Sequence, residues 1–241
     1  MKNSIKYNST RGGDINLSFE EVLLNGLAND GGLYMPDKWP NFSIKEISKM
    51  RNLDYISLAE KIITPFVGES LRDKIGFISA KVYKKFAHIE KAPLVSINKN
   101  LYVMELFHGP TFAFKDYAMQ FLSELFDEVL LKTKGKSLIL GATSGDTGSA
   151  ALEAFKGKKN TDIFMLFPNN RVSHVQRKQM TTIKEEGCIP IAVNTDFDGC
   201  QELVKKLFND KEFRNKVSLS AVNSINWGRL IPQIVYYFYA A

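Results

Sequence analysis

One lysine stands among residues that could make it a nucleophile toward a carbonyl compound. Lys115 lies in the segment Glu105-Leu-Phe-His-Gly-Pro-Thr-Phe-Ala-Phe-Lys-Asp116, whose pattern indicates a strand, a Gly-Pro turn and then a helix. Phe112, Phe114 and Tyr117 predict apolar surroundings. A desolvated lysine loses part of its preference for the charged form, and an uncharged amine can form a Schiff base with an aldehyde. A lysine that merely extends its charged end into water is the commoner alternative.

A second segment could bind a small anion. Gly141-Ala-Thr-Ser-Gly-Asp-Thr-Gly148 follows the apolar run Leu138–Leu140 and precedes a predicted helix over Ser149–Phe155. Unpaired backbone N–H groups at a helix N-terminus attract carboxylates and phosphates, and glycines let the anion approach. The segment lacks the Gly-Lys-Ser/Thr ending of a Walker loop and the central serine of a nucleophile elbow. The alternative is an ordinary N-cap turn of an α/β protein.

A third segment carries polar donors. Asn223-Ser-Ile-Asn-Trp-Gly-Arg229 follows a predicted strand and opens a predicted helix. Ser224, Asn226 and Arg229 are donors suited to a phosphate, and an arginine can bind one through two hydrogen bonds. A capped helix with a solvated arginine is an equally good interpretation of these residues alone.

The elements around these segments alternate between strands and helices. After two strands joined by the Asn98–Asn100 turn, the later predicted strands are each followed by a helical pattern of 10 to 17 residues. The two early strands cover Leu94–Ile97 and Leu101–Phe107, and the later ones cover Ser137–Gly141, Asp162–Phe167, Ile189–Val193 and Val217–Ala221. This alternation predicts an α/β fold, a parallel sheet with helices on both faces. All three segments then lie at carboxyl ends of strands, where such sheets bind ligands.

The first part of the chain has helical patterns. Capping boxes at Ser18–Glu21 and Ser57–Glu60 predict helix starts, and a further helix is expected over Leu71–Phe86. We therefore predict a small helical N-terminal domain over residues 1–91 and a second domain over residues 92–241, with Lys91-Ala-Pro93 as the border.

Composition excludes several classes of protein. The 241 residues contain 32 basic and 26 acidic residues, giving a formal charge of +6, but the lysines are scattered and no aromatic-interleaved basic stretch favours nucleic acid. Without an apolar run of membrane length or a leader pattern, we expect a cytoplasmic protein with no membrane partner. Cys188 and Cys200 are expected to be buried or idle thiols, and no metal site is predicted.

These segments together resemble threonine synthase, a family of pyridoxal-phosphate enzymes of fold type II (the tryptophan synthase β-like fold). The resemblance covers almost the whole chain. It rests on five stretches: Tyr7-Asn-Ser-Thr-Arg-Gly, Leu27-Ala-Asn-Asp-Gly-Gly-Leu-Tyr, Phe107-His-Gly-Pro-Thr-Phe-Ala-Phe-Lys-Asp, Ala142-Thr-Ser-Gly-Asp-Thr-Gly-Ser and Asn223-Ser-Ile-Asn-Trp. The first and last stretches are the most specific, since sister enzymes share the lysine and glycine segments loosely.

The resemblance implies a lyase that converts O-phosphohomoserine and water to threonine and phosphate, the last step of threonine biosynthesis. Lys115 would hold pyridoxal 5'-phosphate as a Schiff base, and the freed amine would then move protons at the substrate's Cα and Cβ. Asp146 is expected beside the cofactor. We expect the substrate carboxylate at Ser144, Gly145 and Thr147, because helix-start amides suit a carboxylate. Its phosphate is expected at Ser224, Asn226 and Arg229.

The sequence also departs from that family. Its members continue further, and the later part supplies a glycine-rich loop for the cofactor phosphate and a polar residue facing the pyridine nitrogen. The chain therefore resembles a C-terminally truncated member, and we expect little threonine formation by these 241 residues alone. Two alternatives stay open: a sister lyase acting on another amino acid, and a non-catalytic protein that binds a phosphorylated ligand on the same fold.

Overall fold

The computed structural model describes residues 4–241, and the first part of this range is mainly helical. Two three-residue strands, β1 (Tyr7–Ser9) and β2 (Tyr34–Pro36), pair antiparallel on either side of helix α1 (Phe19–Asn25). Four short helices follow: α2 (Ile44–Met50), α3 (Tyr55–Ile63), α4 (Glu69–Arg72) and α5 (Ile75–Tyr83), with a 3-10 turn at Thr64–Phe66 between α3 and α4. The predicted helical character is confirmed, and a small sheet is added to it.

Of the two capping boxes predicted in this region, one forms and the other does not. The box at Ser18 is confirmed, because the Ser18 hydroxyl accepts from Glu21 N and the Glu21 carboxylate accepts from Ser18 N. The box predicted at Ser57 is wrong. Helix α3 begins earlier, because the Asp54 carboxylate accepts from Ser57 N at 2.8 Å and caps the helix. Aspartate is at least as good an N-cap as serine, so the earlier residue prevails.

The helix predicted over residues 71–86 is in fact two helices. Helix α4 ends at Arg72 and α5 begins at Ile75, with Asp73 and Lys74 between them. The side of α5 that carries Ile75, Ile78 and Val82 is buried. The break turns the chain so that this apolar side faces the core.

The second part begins with a hairpin and then builds the predicted parallel sheet. The hairpin pairs β3 (Leu94–Asn98) with β4 (Leu101–Met104) and belongs to neither of the other sheets. The main sheet has the order β7-β6-β5-β8, with all neighbours parallel. Its strands are β5 (Ser137–Ala142), β6 (Thr161–Pro168), β7 (Cys188–Val193) and β8 (Leu219–Ser220). The fold class expected from the alternation of strands and helices is confirmed.

Helices cover both faces of this sheet. They are α6 (Lys115–Thr133), α7 (Asp146–Phe155), α8 (His174–Thr181), α9 (Phe197–Asn209), α10 (Lys211–Lys216) and α11 (Trp227–Ala240). Successive side chains of β5 point to opposite faces. Ile139 joins the main core, and Leu140 joins a second cluster that includes Cys200 of α9. Both cysteines are buried and unpaired, as expected.

Several element boundaries differ from the prediction, and strand β4 ends at Met104 instead of the expected Phe107. Helix α7 begins at Asp146, three residues before the expected Ser149. Strand β8 has two residues instead of five. Helix α8 has only 8 residues, and near its end the hydroxyls of Thr181 and Thr182 donate to carbonyls one turn back.

The N-terminal part packs directly on the start of α11. The Asn226 amide donates to Leu23 O at 2.8 Å, and Trp227 Nε1 donates to Tyr34 O. One buried cluster contains residues from both parts, and the border near residue 91 stays a prediction.

Among residues 4–241, no helix is long and apolar enough to cross a membrane, and no group of three or more His, Cys, Asp or Glu side chains could hold a metal ion.

Candidate functional site

Lys115 is the first residue of α6, and the hydrogen-bonded turn before the helix fixes its position. Asp116 is fully buried, and its carboxylate accepts from the Thr111 backbone N–H at 2.8 Å and from the Thr111 hydroxyl at 2.7 Å. Burial raises the pKa of Asp116, against the opposing effect of these hydrogen bonds. A Cβ on Gly109 would lie 2.5 Å from the Asp116 side chain, so the turn needs glycine there. The Gly-Pro turn and its aspartate therefore fix where α6 starts.

The Lys115 amine lies between an aromatic ring and a carboxylate. Its Nζ is 4.7 Å from the centre of the Phe114 ring and 3.4 Å from Asp146 Oδ2. The Lys115 side chain is 18% exposed, and that of Asp146 is 46% exposed. A pair this open to water holds the amine only weakly. The amine is thus sheltered but free to leave the carboxylate.

The aromatic surroundings are less closed than the sequence predicts. Tyr117 is buried in the core and donates to Lys91 O, away from solvent. Phe112 is 73% exposed and has a φ of 59°, while Phe114 is 42% exposed. The residues described here therefore shelter Lys115 on one side and leave the other side open.

The glycine segment forms a tight loop at the start of α7. The buried Thr143 hydroxyl accepts from Gly145 N at 3.0 Å and from Gly148 N at 2.8 Å. Gly145 caps the helix with a φ of 150°, a conformation that residues with a Cβ rarely adopt. The N–H groups of Asp146 and Thr147 have no acceptor among residues 4–241. These two donors, with the exposed Ser144 beside them, offer a carboxylate a place at the positive end of a helix.

Gln176 of α8 is a site residue that the sequence did not reveal. Its side-chain amide donates to Asp146 Oδ1, and its carbonyl oxygen accepts from the Ser173 hydroxyl at 3.0 Å. A side chain on Gly145 would collide with Gln176. Gln176 therefore orients the carboxylate that faces Lys115. Its position 30 residues after Asp146 gives no local signal.

The third segment lies at the same end of the parallel strands, and the side chains of Asn226 and Arg229 are turned inward. Because β8 and β5 are parallel neighbours, the chain leaves both strands at one edge. Asn226 is fully buried and caps α11. Arg229 is 5% exposed, donates from Nη1 to Val222 O at 3.0 Å, and has no partner for Nε among the described residues. Burial lowers the pKa of Arg229. Only Ser224 is exposed.

The geometry thus divides the predicted site residues into two groups. Lys115 and Asp146 are in contact, and Ser144, Gly145 and Thr147 belong to the same loop as Asp146. The side chains of Asn226 and Arg229 donate to backbone carbonyls. Their assignment to a substrate phosphate stays a prediction, and the contacts of these two side chains do not add to it.

Comparisons with known proteins agree on one group. Residues 6–83 match the family described as threonine synthase N terminus. The chain is 51% identical over 238 residues to a threonine synthase from Pseudomonas aeruginosa, covering 98% of this chain and 51% of that protein. It is 44% identical over 250 residues to the threonine synthase of Schizosaccharomyces pombe, covering 100% of this chain and 49% of that protein.

Solved structures give the same result for the fold. A pyridoxal-phosphate-bound threonine synthase from Brucella melitensis superposes with a TM-score of 0.93 at 50% identity, covering 98% of this chain and 51% of that one. A yeast threonine synthase superposes with a TM-score of 0.90 at 39% identity, covering 98% of this chain and 49% of that one. The chain therefore spans about half the length of the relatives that it matches.

Proposed function

Because the chain belongs to the threonine synthase family and spans about half the length of its relatives, we propose that it supplies the lysine-bearing part of a pyridoxal-phosphate lyase. The proposed reaction converts O-phosphohomoserine and water to threonine and phosphate. One observation carries the proposal for this chain: Lys115 Nζ lies 3.4 Å from Asp146 Oδ2, where the first residues of two helices meet.

The residues present fit the reactive parts of the cofactor and substrate. A primary amine that is 18% exposed and only weakly paired can reach an aldehyde. The unpaired N–H groups of Asp146 and Thr147 suit a carboxylate. None of these groups is proposed to bind the cofactor phosphate.

The chain's own groups then have separate tasks. When bound, pyridoxal 5'-phosphate supplies the electron sink for bond breaking next to the substrate's amino group. Lys115 Nζ takes and returns protons at Cα and Cβ. Asp146, held by Gln176, orients the amine between these steps. The loop from Ser144 to Thr147 holds the substrate carboxylate and so fixes Cα next to Lys115.

The remaining parts of the proposal depend on the family resemblance. The substrate phosphate is assigned to Ser224, Asn226 and Arg229, of which Ser224 alone has an exposed side chain. For Asn226 and Arg229 the assignment requires their side chains to rearrange from their present carbonyl partners. A cytoplasmic location belongs to the same proposal, as the setting of an amino-acid biosynthetic enzyme.

The proposal is tested by trapping the cofactor on this chain. The purified protein is titrated with pyridoxal phosphate, reduced with borohydride and digested, and the modified peptides are mapped. We expect the adduct on Lys115, and its loss in Lys115→Ala. Lys205→Ala is the matched control, because Lys205 is an exposed lysine on α9. Labelling spread evenly over surface lysines would contradict a cofactor site at Lys115.

Turnover is measured separately. Phosphate release from O-phosphohomoserine is compared with pyruvate or oxobutyrate formation from serine and threonine, which are the reactions of the sister lyases. We expect little threonine from this chain alone. By the resemblance, the glycine-rich loop for the cofactor phosphate belongs to the later part of the family's members, which these 241 residues do not cover. Robust threonine formation by the 241 residues would overturn that expectation.

A further inference from the structure

Helix α8 contacts both parts of the candidate site. The helix has only 8 residues, and the Ser173 hydroxyl caps it by accepting from Gln176 N at 3.2 Å. Met180 is the one side chain of α8 that is fully buried. Because so short a helix is not stable in water by itself, its contacts with neighbouring elements hold it in place.

The first contact is with the glycine loop that carries Asp146. The Gln176 side-chain amide donates to Asp146 Oδ1, and the Ser149 hydroxyl donates to Gln176 O at 3.4 Å. A Cβ on Gly148 would lie 2.8 Å from Met180 Sδ, so α7 and α8 approach closely here. The loop and the start of α7 are therefore fixed against one side of α8.

The second contact is with the turn that carries Lys115. The half-buried Gln179 donates from its side-chain amide to Thr111 O at 3.1 Å. The backbone N–H and the hydroxyl of Thr111 donate to Asp116, the residue after Lys115. Two of these three bonds lie within the turn, and the bond from Gln179 ties the turn to another element of the fold.

The two glutamines make these contacts from one side of the helix. Gln176 and Gln179 are three residues apart, and residues at this spacing are neighbours on a helix surface. Helices α6 and α7 pack on each other further along, where the ring centres of Phe126 and Phe155 are 5.8 Å apart. At the N-terminal ends of these helices α8 adds a second link, which joins the turn before α6 to the loop before α7.

We propose that α8 sets the separation of Lys115 Nζ and Asp146 Oδ2, which is 3.4 Å, and that Gln179 is a positioning residue for the proposed reaction. Gln179 acts through the Thr111 turn and is not expected to touch the cofactor or the substrate. The inference deepens the proposed function and rests on it, because the proposed role of Lys115 needs its amine at a fixed place beside Asp146. The alternative role for Gln179 is structural only, as a hydrogen bond that stabilises the turn.

The reactivity of the Lys115 amine reports this separation. A carboxylate close to an amine favours the charged ammonium form, which does not attack electrophiles. Replacing Asp146 by asparagine removes the charge and leaves an oxygen that can still accept from Gln176. Asp146→Asn should therefore speed the reaction of Lys115, by about two- to fivefold for a pair this open to water.

The test is a double-mutant cycle in the cofactor-free chain. Lys115 is methylated with limiting formaldehyde and cyanoborohydride at pH 8, and peptide mapping gives its rate relative to the exposed Lys205. Asp146→Asn is compared in two backgrounds, the unsubstituted chain and Gln179→Met, which has a side chain of similar length but no donor. We expect Asp146→Asn to lose most of its effect in Gln179→Met, changing the rate by less than about 1.5-fold.

Two further variants accompany the cycle. Gln233→Met removes the same kind of bond on α11, where the half-buried Gln233 donates from its side-chain amide to Arg229 O at 3.1 Å. In this background Asp146→Asn should keep its full effect. Gln179→Asn keeps the amide on a shorter side chain, so it should uncouple the pair as Gln179→Met does. Urea unfolding checks that each variant is folded, and Gln179→Asn decides the question if Gln179→Met is not.

Each outcome bears on either α8 or the proposed function. If Asp146→Asn speeds the methylation of Lys115 equally with and without Gln179, the role of Gln179 is structural only and the inference is overturned. Lack of any effect of Asp146→Asn in the unsubstituted chain would overturn it too, because the amine would not sense the carboxylate. A non-additive cycle without a pyridoxal-phosphate adduct on Lys115 would support positioning by α8 and contradict the proposed function. An adduct on Lys115 with an additive cycle would do the reverse.

Discussion

Replacing Asn226 by alanine should lower the free energy of unfolding by about 3 kcal/mol. Asn226 is completely buried, and its side chain joins two distant parts of the chain. The amide nitrogen donates to Leu23 O at 2.8 Å, and the amide oxygen accepts from Gly228 N at 2.9 Å. Alanine removes both hydrogen bonds and leaves Leu23 O and Gly228 N in place.

The magnitude follows from two separate losses. Removing a side-chain N-cap costs about 1 kcal/mol, and Asn226 caps α11. Leu23 O lies in the last turn of α1, where a carbonyl has no partner within the helix. Leaving such a buried carbonyl unpaired costs about 1 to 3 kcal/mol more. The two losses add because they involve different backbone groups.

The assay is thermal unfolding followed by circular dichroism and by tryptophan fluorescence. For a chain of this size, about 3 kcal/mol corresponds to a decrease in Tm of about 6 to 12 °C. Trp227, the residue after Asn226, reports directly on the start of α11. Ser224→Ala is the control, because Ser224 is exposed and should change stability by less than about 0.5 kcal/mol.

One result would refute this reasoning. If Asn226→Ala melted within about 1 °C of the Ser224→Ala control, the buried contacts would not be holding α11 to the N-terminal part. If that variant also bound inorganic phosphate more weakly than the unsubstituted chain, the side chain would belong to the proposed phosphate site instead.

Three further predictions concern the glycine loop, the buried carboxylate of Glu124 and the thiol of Cys188. Gly145→Ala should destabilise the chain by about 2 kcal/mol in urea unfolding and abolish the Lys115 adduct, because a φ of 150° disfavours a side chain. Glu124 is buried and bonded to Lys81 and Lys158; burial raises its pKa, but these hydrogen bonds outweigh burial and hold the pKa below its ordinary 4.5. Its stabilising contribution should therefore be complete above pH 4.5 and be lost as the pH falls below that value. Glu124→Gln should cost about 3 kcal/mol at pH 7 and reduce this acid sensitivity, whereas the exposed Glu202→Gln should not. Burial raises the pKa of Cys188 from 9.0 to about 11. At pH 8 the thiolate of Cys188 is therefore about 100-fold rarer in the folded protein than in protein unfolded by urea, and its reaction with a disulfide reagent should be slower by the same factor. Equal rates in native and unfolded protein would contradict the burial of Cys188.

Helix starts show how far local sequence can be trusted. The Ser18 box forms, because its two hydrogen bonds involve only neighbouring residues. At Asp54 two local caps compete, and the pattern of serine and glutamate cannot decide between them. The sequence therefore predicts that a helix starts nearby and leaves its first residue uncertain by about three positions.

The features of the candidate site likewise divide into those that local sequence determines and those that depend on tertiary packing. The sequence by itself determined the α/β order, the placement of Lys115 and the glycine loop after strands, and the family resemblance, because strand periodicity and glycine spacing act over a few residues. Only the tertiary structure decided which carboxylate faces Lys115, that Gln176 holds it, and that Asn226 and Arg229 point inward. The Asn226 contact joins residues 203 positions apart. Such pairings depend on how whole helices pack, and no local pattern records them.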